Sequence, residues 1–298
     1  MQGRNTQVIA VGNQKGGVGK TSLTANLAGL AARSGWPTLA VDLDRQGNLQ
    51  RDLGYTSDGG RSLVAAAFGR GSVEVVREVR PGLDVIAGGR VLDELVAQMQ
   101  VGLMNSKVSV LKAIEKALEP LASNYDVVLL DSGPGEPTIQ AGAVRASHFV
   151  LIPTRTDDAS LDGLDPVAQI LTEQLESNPA VRILGVAVMF VPANGTAILE
   201  TARSKIKELI GPELLFDNFV RSAPAIGDAC RAKGQLAYEY EEDAAGAEKW
   251  WKARREGRKT KGFSAAASNL AGDYEALGHE VFARYLDFLK NEPVGELV

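Results

Sequence analysis

Two lysines that flank a glycine-rich run are the first residues whose types and spacing could do chemistry. They are Lys15 and Lys20, in the sequence Lys15-Gly16-Gly17-Val18-Gly19-Lys20-Thr21-Ser22. Glycine lacks a Cβ atom, so this backbone can curl tightly and direct successive N–H groups at an anion. Lys20 could then reach the β- and γ-phosphates of a nucleotide, and the Thr21 hydroxyl is suited to ligate Mg²⁺. The segment therefore predicts a phosphate-binding loop.

Three aspartates in two later motifs supply carboxylates for the same chemistry. Asp42 and Asp44 lie in Asp42-Leu43-Asp44-Arg45-Gln46-Gly47-Asn48, and Asp131 precedes Ser132-Gly133-Pro134-Gly135. Residues two apart on an extended chain share one side, so Asp42 and Asp44 could both face a phosphate site. Asp131 ends an apolar run, where it could hold Mg²⁺ beside Thr21. Phosphoryl transfer needs positioning and charge neutralisation more than a strong base, so ordinary carboxylates suffice.

The phosphate loop departs from the strict Walker A pattern at one position. That pattern has a glycine six positions before its lysine, where this chain has Gln14. The string from Lys15 to Thr21 instead resembles the deviant Walker A motif of the ParA/MinD family of ATPases. The segment that begins at Asp42 resembles the same family's Asp-x-Asp-x-Gln-Gly-Asn signature. The family usually has proline where Gly133 stands, which leaves the shape of that loop open.

This resemblance implies a role for each motif residue. Lys15 would cross to the ATP of a second subunit in a sandwich dimer and act there like an arginine finger. Asp44 would orient the attacking water, and Asp42 would support the magnesium shell formed with Thr21 and Asp131. The expected catalytic residues are Lys15, Lys20 and Asp44. The expected nucleotide contacts are Gly16, Gly17, Val18, Gly19, Lys20, Thr21 and Ser22, with Asn194 at the adenine beside the loop at 220–224.

The elements that must hold these motifs alternate between apolar runs and amphipathic stretches. Strands are predicted at 8–11, 38–42, 83–87, 125–131, 148–152 and 182–191, the fifth of them ended by Pro153. Helices are predicted at 23–32, 62–68, 91–104, 106–121, 161–175, 196–210 and 244–255. Such alternation is typical of a parallel sheet covered by helices. We predict an α/β fold, a doubly wound and mostly parallel sheet with helices on both faces, of the P-loop NTPase type that the resemblance implies.

The last third of the chain ends in a further predicted helix with an aromatic and aliphatic stripe. The stripe comprises Phe263, Leu270, Tyr274, Leu277, Val281, Tyr285 and Phe288. Acidic neighbours such as Asp273 and Glu280 favour packing on the body of the protein over binding to a membrane. We predict an ATPase core at 1–242 and a C-terminal helical region at 243–298, together forming one domain.

Composition narrows the class of protein. The chain has 298 residues, of which 45% are hydrophobic and 23% charged, which is typical of a globular protein. It has no apolar run of about eighteen residues, so no membrane span is predicted, and no stable membrane association is expected. Its single cysteine, Cys230, excludes an intramolecular disulfide and a cysteine-only metal site. We expect a cytoplasmic, nucleoid-associated protein.

A basic segment at 249–261 interrupts an otherwise acidic chain. It contains seven basic residues and one acid, whereas the whole chain has a net charge of −5. Such a segment predicts local contact with an anion, and duplex DNA bound without sequence preference is the expected partner. The expected DNA contacts are Lys252, Arg254, Arg255, Arg258, Lys259 and Lys261. Arg203, Lys205 and Lys207 form a second basic group, and a merely solvated charged turn is the alternative for the main segment.

The predicted function is that of a ParA-like partition ATPase with weak intrinsic turnover. ATP and Mg²⁺ would form a homodimer that holds DNA, and a ParB-like or other adaptor protein would stimulate hydrolysis. A ParA-like ATPase that positions a non-DNA cargo is an alternative. A MinD-like membrane-site regulator is a second, although the chain ends without a basic amphipathic tip. One cysteine argues against an iron–sulfur relative, and Lys20, Asp44 and Asp131 argue against a scaffold with a structural nucleotide.

Overall fold

An eight-stranded sheet forms the centre of the computed structural model, which describes residues 6–105, 111–157, 180–246 and 265–291. The strands are β1 (Gln7–Val11), β2 (Thr38–Leu43), β3 (Val75–Arg80), β4 (Leu83–Ile86), β5 (Val127–Ser132), β6 (Phe149–Thr154), β7 (Arg182–Val191) and β8 (Leu215–Arg221). They lie in the order β3-β4-β2-β5-β1-β6-β7-β8. Neighbouring strands are parallel, except that β3 runs antiparallel to β4. The predicted fold class is confirmed.

Helices cover both faces of the sheet. In the described ranges they are α1 (Lys20–Arg33), α2 (Leu49–Leu53), α3 (Arg61–Ala67), α4 (Leu92–Met104), α5 (Ala113–Ala122), α6 (Pro137–Arg145), α7 (Thr196–Ile210), α8 (Pro224–Lys233), α9 (Ala237–Gly246) and α10 (Ala265–Asn291). Alternate residues of β1 enter different cores, Val8 on one face and Ile9 on the other. The Val8 core includes residues of α3 to α7, and the Ile9 core includes residues of α1, α2 and α10. The sheet is therefore doubly wound.

The prediction that Pro153 ends its strand is wrong. The strand β6 continues through Pro153 to Thr154, and Pro153 pairs with Ala187 of β7. On the opposite side β1 pairs with β6 only as far as Leu151, and the Pro153 carbonyl accepts a hydrogen bond from Asn13 Nδ2 at 2.9 Å. The backbone N–H that proline lacks would therefore point to the side of β6 where β1 no longer pairs with it. Pro153 thus removes no hydrogen bond between strands.

The edge strand β3 was not predicted. Its sequence, Val-Val-Arg-Glu-Val-Arg, does not alternate regularly between apolar and polar residues, and its pairing with β4 is interrupted by a shift in register. Glu78 has a φ of 53° within that irregularity. Charged residues and a bulge are typical of an edge strand that must not pair further.

The C-terminal helix α10 lies against the sheet and α1. Its buried residues include Tyr274, Leu277 and Val281, and Gly278 packs so closely that a Cβ atom there would lie 2.8 Å from Leu30 Cδ1. Arg221 at the end of β8 forms an ion pair with Asp273, with Nη2 and Oδ1 2.6 Å apart. The part of the predicted stripe from Leu270 to Phe288 is thus the packing face of the helix, whereas Phe263 lies outside the described residues.

Five predictions fall partly or wholly outside the described residues. They are the predicted helix at 161–175, the basic segment at 249–261, most of the predicted helix at 244–255, residues 106–110 of the predicted helix at 106–121 and Phe263 of the predicted stripe. The predicted division between 242 and 243 falls inside α9. In the described ranges, no helix is both long and apolar enough to span a membrane.

Candidate functional site

The register of the central strands brings the three motifs to one edge of the sheet. Val11, the last residue of β1, pairs with Asp131 of β5, and Asp131 pairs on its other side with Asp42 of β2. Since parallel strands end at the same edge, the loops that follow these strands meet there. The phosphate loop, the segment from Asp42 to Asn48 and the loop after Asp131 therefore surround one cleft.

This cleft is a cavity of about 300 Å³, which we call the phosphate cavity. Its lining residues are Gly17, Gly19, Lys20, Thr21, Ser22, Asp44, Gln46, Asn48, Pro134, Phe190 and Arg231. Gly17 and Gly19 have φ angles of 74° and 90°, which are conformations that favour glycine. They turn the backbone so that α1 begins at Lys20, with its positive dipole end at the cavity.

Lys20 is buried and holds the phosphate loop closed. Its Nζ donates a hydrogen bond to the Lys15 carbonyl oxygen at 2.8 Å. Burial lowers the pKa of Lys20 to about 8, and the nearby carboxylates of Asp131 and Asp44 oppose that shift. The lysine therefore has charged partners that favour its ammonium form at the place where phosphates would bind.

Asp42 stabilises the loop that follows β2. It is fully buried, and its Oδ1 and Oδ2 accept hydrogen bonds from the backbone N–H groups of Asp44 and Leu49, at 2.9 and 3.2 Å. Burial raises its pKa well above the usual value, and the charge of Asp131 raises it further. Both oxygens are occupied by backbone donors, which suits a supporting role.

Asp131 has an oxygen available for a cation. It is fully buried, and among the described residues its Oδ2 has no hydrogen-bond partner. Thr24 Oγ1 donates to its Oδ1 at 3.4 Å, burial raises its pKa, and the nearby Thr21 hydroxyl opposes that shift. A buried, unpartnered carboxylate oxygen beside a threonine hydroxyl fits Mg²⁺, which prefers oxygen ligands. Within the described ranges, no cluster of three or more His, Cys, Asp or Glu residues is placed to hold a metal.

Asp44 lines the phosphate cavity and lies against Gly133. Its Oδ1 accepts a hydrogen bond from the Gln46 N–H at 2.9 Å, and Asn48 Nδ2 donates to its Oδ2 at 3.3 Å. A Cβ atom at position 133 would lie 2.7 Å from Asp44 Oδ1. Glycine at this position is therefore what allows the Asp44 carboxylate to lie beneath the loop that follows Asp131.

Half of the predicted catalytic, nucleotide-binding and metal-binding residues line the phosphate cavity. Gly17, Gly19, Lys20, Thr21, Ser22 and Asp44 are in its lining, whereas Lys15, Gly16, Val18, Asp42, Asp131 and Asn194 are not. Lys15 is exposed, although its carbonyl accepts the hydrogen bond from Lys20, and its backbone N–H donates to Asn13 Oδ1 at 2.8 Å. Asn194 is also exposed and does not line either cavity described in this section.

A second cavity of about 340 Å³ adjoins the first, and we call it the base-side cavity. Its lining residues are Gly17, Ser22, Arg155, Phe190, Ser222, Ala223, Pro224, Gly227, Arg231, Leu270 and Tyr274. Phe190 and Arg231 line both cavities and were not predicted from the sequence. They lie about 170 to 210 residues after the phosphate loop, and no motif marks them.

One member of the second basic group, Arg203, forms an ion pair with an aspartate. Arg203 Nη2 lies 2.9 Å from Asp217 Oδ1, and its Nη1 donates to the Asp217 carbonyl oxygen at 3.0 Å. Lys207 is exposed on the same helix. The predicted DNA contacts at 252–261 lie outside the described residues.

A protein-family model described as an AAA domain matches residues 6–183, which is more than half of the chain. The chromosome-partitioning ATPase Soj of Thermus thermophilus is 29% identical over 226 residues, which cover 74% of this chain and 85% of Soj. The chromosome partitioning protein ParA of Caulobacter vibrioides is 30% identical over 63% of this chain and 71% of that protein. The structure of an ATP complex of a Cyanothece McdA variant superimposes with a TM-score of 0.69 and 20% identity, and covers 93% of this chain and 98% of McdA.

Proposed function

Because the chain belongs to the ParA/MinD family of ATPases, we propose that it binds ATP with Mg²⁺ and hydrolyses ATP to ADP and phosphate. The observation that carries this proposal is the register of β1, β5 and β2, which brings the phosphate loop, Asp131 and the segment from Asp42 to Asp44 to one sheet edge. Intrinsic turnover is slow, as befits a switch whose two states are selected by the γ-phosphate.

The phosphate cavity holds the triphosphate. The glycine-rich loop and Lys20 bind the β- and γ-phosphates, and Thr21 and Asp131 hold the magnesium ion, with Asp42 in support. When bound, that ion supplies neutralising charge for the phosphate oxygens. Asp44 orients the attacking water, for which its place in the cavity wall and its hydrogen bonds to Gln46 and Asn48 give support.

The base-side cavity holds the adenosine. Ser222, Ala223 and Pro224 in its wall belong to the segment where the sequence predicted adenine contacts. Leu270 and Tyr274 add apolar surface, which suits the face of a base. Asn194 remains a predicted adenine contact.

Two chains form an ATP-dependent sandwich dimer in which Lys15 contacts the partner's nucleotide. The exposed side chain of Lys15 supports this, because a lysine of the same loop that faces outward is accessible to a second molecule. The buried Lys20 already supplies the cation for the nucleotide of its own subunit.

The ATP dimer binds DNA without sequence preference, and a ParB-like or other adaptor protein stimulates hydrolysis. The names of two relatives, a chromosome-partitioning ATPase and a chromosome partitioning protein, support a role in DNA segregation. The basic segment at 249–261 supplies the DNA contacts, and the protein works in the cytoplasm in association with the nucleoid.

Phosphate release by the purified protein tests the hydrolytic proposal. Asp44→Asn keeps the size of the side chain, so we expect ATP affinity to stay within about threefold while turnover falls by about a hundredfold or more. Asp58→Asn is the matched control, because Asp58 also accepts two backbone N–H groups in a loop, those of Gly60 and Ser62. Equal turnover by wild type and Asp44→Asn would refute the role of Asp44.

The salt dependence of DNA binding tests the proposed DNA contacts of the basic segment. Replacement of Arg254, Arg255, Arg258 and Lys259 by Gln should weaken ATP-dependent DNA binding and make its dependence on salt shallower, because each lost phosphate contact removes about 0.9 from the slope. The control replaces four exposed basic residues elsewhere, Arg61, Arg70, Arg90 and Lys116, by Gln. Unchanged binding by the first variant would contradict the assignment.

A further inference from the structure

A guanidinium group lies where the two cavities meet. Arg231 of α8, together with Gly17, Ser22 and Phe190, lines both the phosphate cavity and the base-side cavity. A ligand that extends from one cavity into the other must pass these four residues. Arg231 carries the only charge among the four, so it dominates the electrostatics of this passage.

Arg231 is held in place by a carboxylate that is itself nearly buried. Arg231 Nε and Asp52 Oδ1 are 2.6 Å apart, and the Asp52 side chain is 9% exposed, whereas that of Arg231 is 40% exposed. Ser22 Oγ donates to Asp52 Oδ2 at 3.0 Å, and Arg231 Nη2 lies 3.4 Å from Ser22 Oγ. The guanidinium is therefore fixed beside the first turn of α1 while part of it stays open to the cavities.

Phe190 forms an apolar wall of the same passage. Its φ of 59° is unusual for a bulky residue, and such strained conformations cluster at functional sites. Its ring lies against the phosphate loop, where a Cβ atom at Gly19 would be 2.9 Å from Phe190 Cζ. Of the two arginines that line the base-side cavity, Arg155 and Arg231, Arg231 also lines the phosphate cavity and Arg155 does not.

We propose that Arg231 binds the α-phosphate of the nucleotide. This inference rests on the proposed function, in which Lys20 and Thr21 serve the β- and γ-phosphates and the base-side cavity holds the adenosine. The α-phosphate is the group that links those two parts, so it lies at the wall that the cavities share. Arg231 also neutralises Asp52, a carboxylate that would otherwise repel a phosphate beside Ser22.

Nucleotide binding by Arg231→Gln tests this assignment. The α-phosphate is common to ATP, ADP and AMP, so we expect the dissociation constants of all three to rise by a similar factor, roughly tenfold to a hundredfold. AMP is measured by competition against a fluorescent ADP analogue.

Two further variants separate the effect of the positive charge of Arg231 from the effect of the shape of its side chain. Arg231→Lys keeps the positive charge and should recover part of the lost ADP affinity. Addition of Asp52→Asn to Arg231→Gln should also recover part of it, because the uncompensated carboxylate is then removed. Urea unfolding of each variant checks that a loss of affinity is not a loss of folded protein, because removal of the uncompensated Asp52 charge would also recover stability.

Arg203→Gln is the matched control. Arg203 is also a partly buried arginine, with a side chain 14% exposed, and its Nη2 lies 2.9 Å from Asp217 Oδ1, but it lines neither cavity. Its ADP affinity should equal that of wild type. The inference is overturned if Arg231→Gln binds ADP and ATP normally, if Arg203→Gln loses as much affinity, or if only ATP binding is lost. A wild-type chain that binds neither nucleotide would refute the proposed function and this inference together.

Discussion

At the scale of single residues, three aspartates at one sheet edge differ in what their oxygens contact. Both oxygens of Asp42 accept backbone N–H groups, one oxygen of Asp131 has no partner among the described residues, and Asp44 faces the phosphate cavity. Residue type and spacing predicted that the three would meet. The family resemblance implied a role for each of them, but the hydrogen-bond partners could not be predicted, because they depend on which backbone donors reach each carboxylate.

Gly133 shows how a departure from a family pattern becomes interpretable in three dimensions. Gly133→Ala would place a Cβ atom 2.7 Å from Asp44 Oδ1, so the carboxylate must shift. We expect turnover to fall by about tenfold or more, with ATP affinity nearly unchanged, because Asp44 acts on the water and not on binding. Phosphate release and nucleotide titration measure the two effects.

Gly12→Ala is the control for this substitution, because a Cβ atom at position 12 would make an ordinary contact of 3.6 Å with Ser132 Oγ. Normal turnover by Gly133→Ala would show that the close approach of Gly133 to Asp44 does not position that carboxylate.

His148 makes stability depend on pH. It is buried, its Nδ1 accepts the Val8 N–H at 3.0 Å, and burial lowers its pKa to about 4. The unfolded chain takes up the proton below about pH 6.5, whereas the folded chain resists it until about pH 4. Stability from the neutral imidazole is therefore present above pH 6.5 and is lost as the pH falls towards 4.

Between pH 7 and pH 5 this histidine should lower the free energy of unfolding by about 2 kcal/mol. His148→Asn keeps an acceptor but cannot take up the proton, so its stability should fall less over the same interval in urea unfolding. His279→Asn is the control, because His279 is the other histidine of the sequence and is exposed. Parallel pH dependences of wild type and His148→Asn would contradict this account.

At the scale of helices and strands, the predicted bounds are most accurate where the hydrophobic pattern of the sequence is regular. The strand at Arg182–Val191 and the helix at Thr196–Ile210 have the predicted bounds, because a long apolar run and a 3.6-residue period specify them locally. The strand β3 and the continuation of β6 through Pro153 depend on neighbouring strands. The pairing of Arg231 with Asp52 joins residues far apart in sequence, so no local pattern marks it.

The helix α10 should contribute to stability through one face only. Leu277 is fully buried, whereas Leu286 on the same helix is 38% exposed. Leu277→Ala should lower the free energy of unfolding by about 2–5 kcal/mol, through lost burial and a residual cavity, while Leu286→Ala should cost less than about 1 kcal/mol. Urea unfolding measures both, and equal costs would show that this helix does not pack as described.

At the scale of the whole molecule, one sheet edge carries the chemistry and the C-terminal elements complete the base-side cavity. Leu270 and Tyr274 of α10 and Pro224 at the start of α8 join residues of the phosphate loop around it. In the proposed function, nucleotide binding therefore involves residues from the first and the last parts of the described chain. The proposed sandwich dimer would add a second molecule at the same edge, where Lys15 is exposed.

The molar mass of the ATP-bound protein in solution tests the central claim most directly. Asp44→Asn should prevent hydrolysis, and light scattering of this variant should then find a dimer with Mg-ATP and a monomer with ADP. Adding Lys15→Gln to that variant should leave a monomer that still binds ATP, because the cation that serves the partner's nucleotide is gone. Adding Lys116→Gln, which removes another exposed lysine, should leave the dimer intact. A dimer of undiminished affinity in the Lys15→Gln variant would contradict the account.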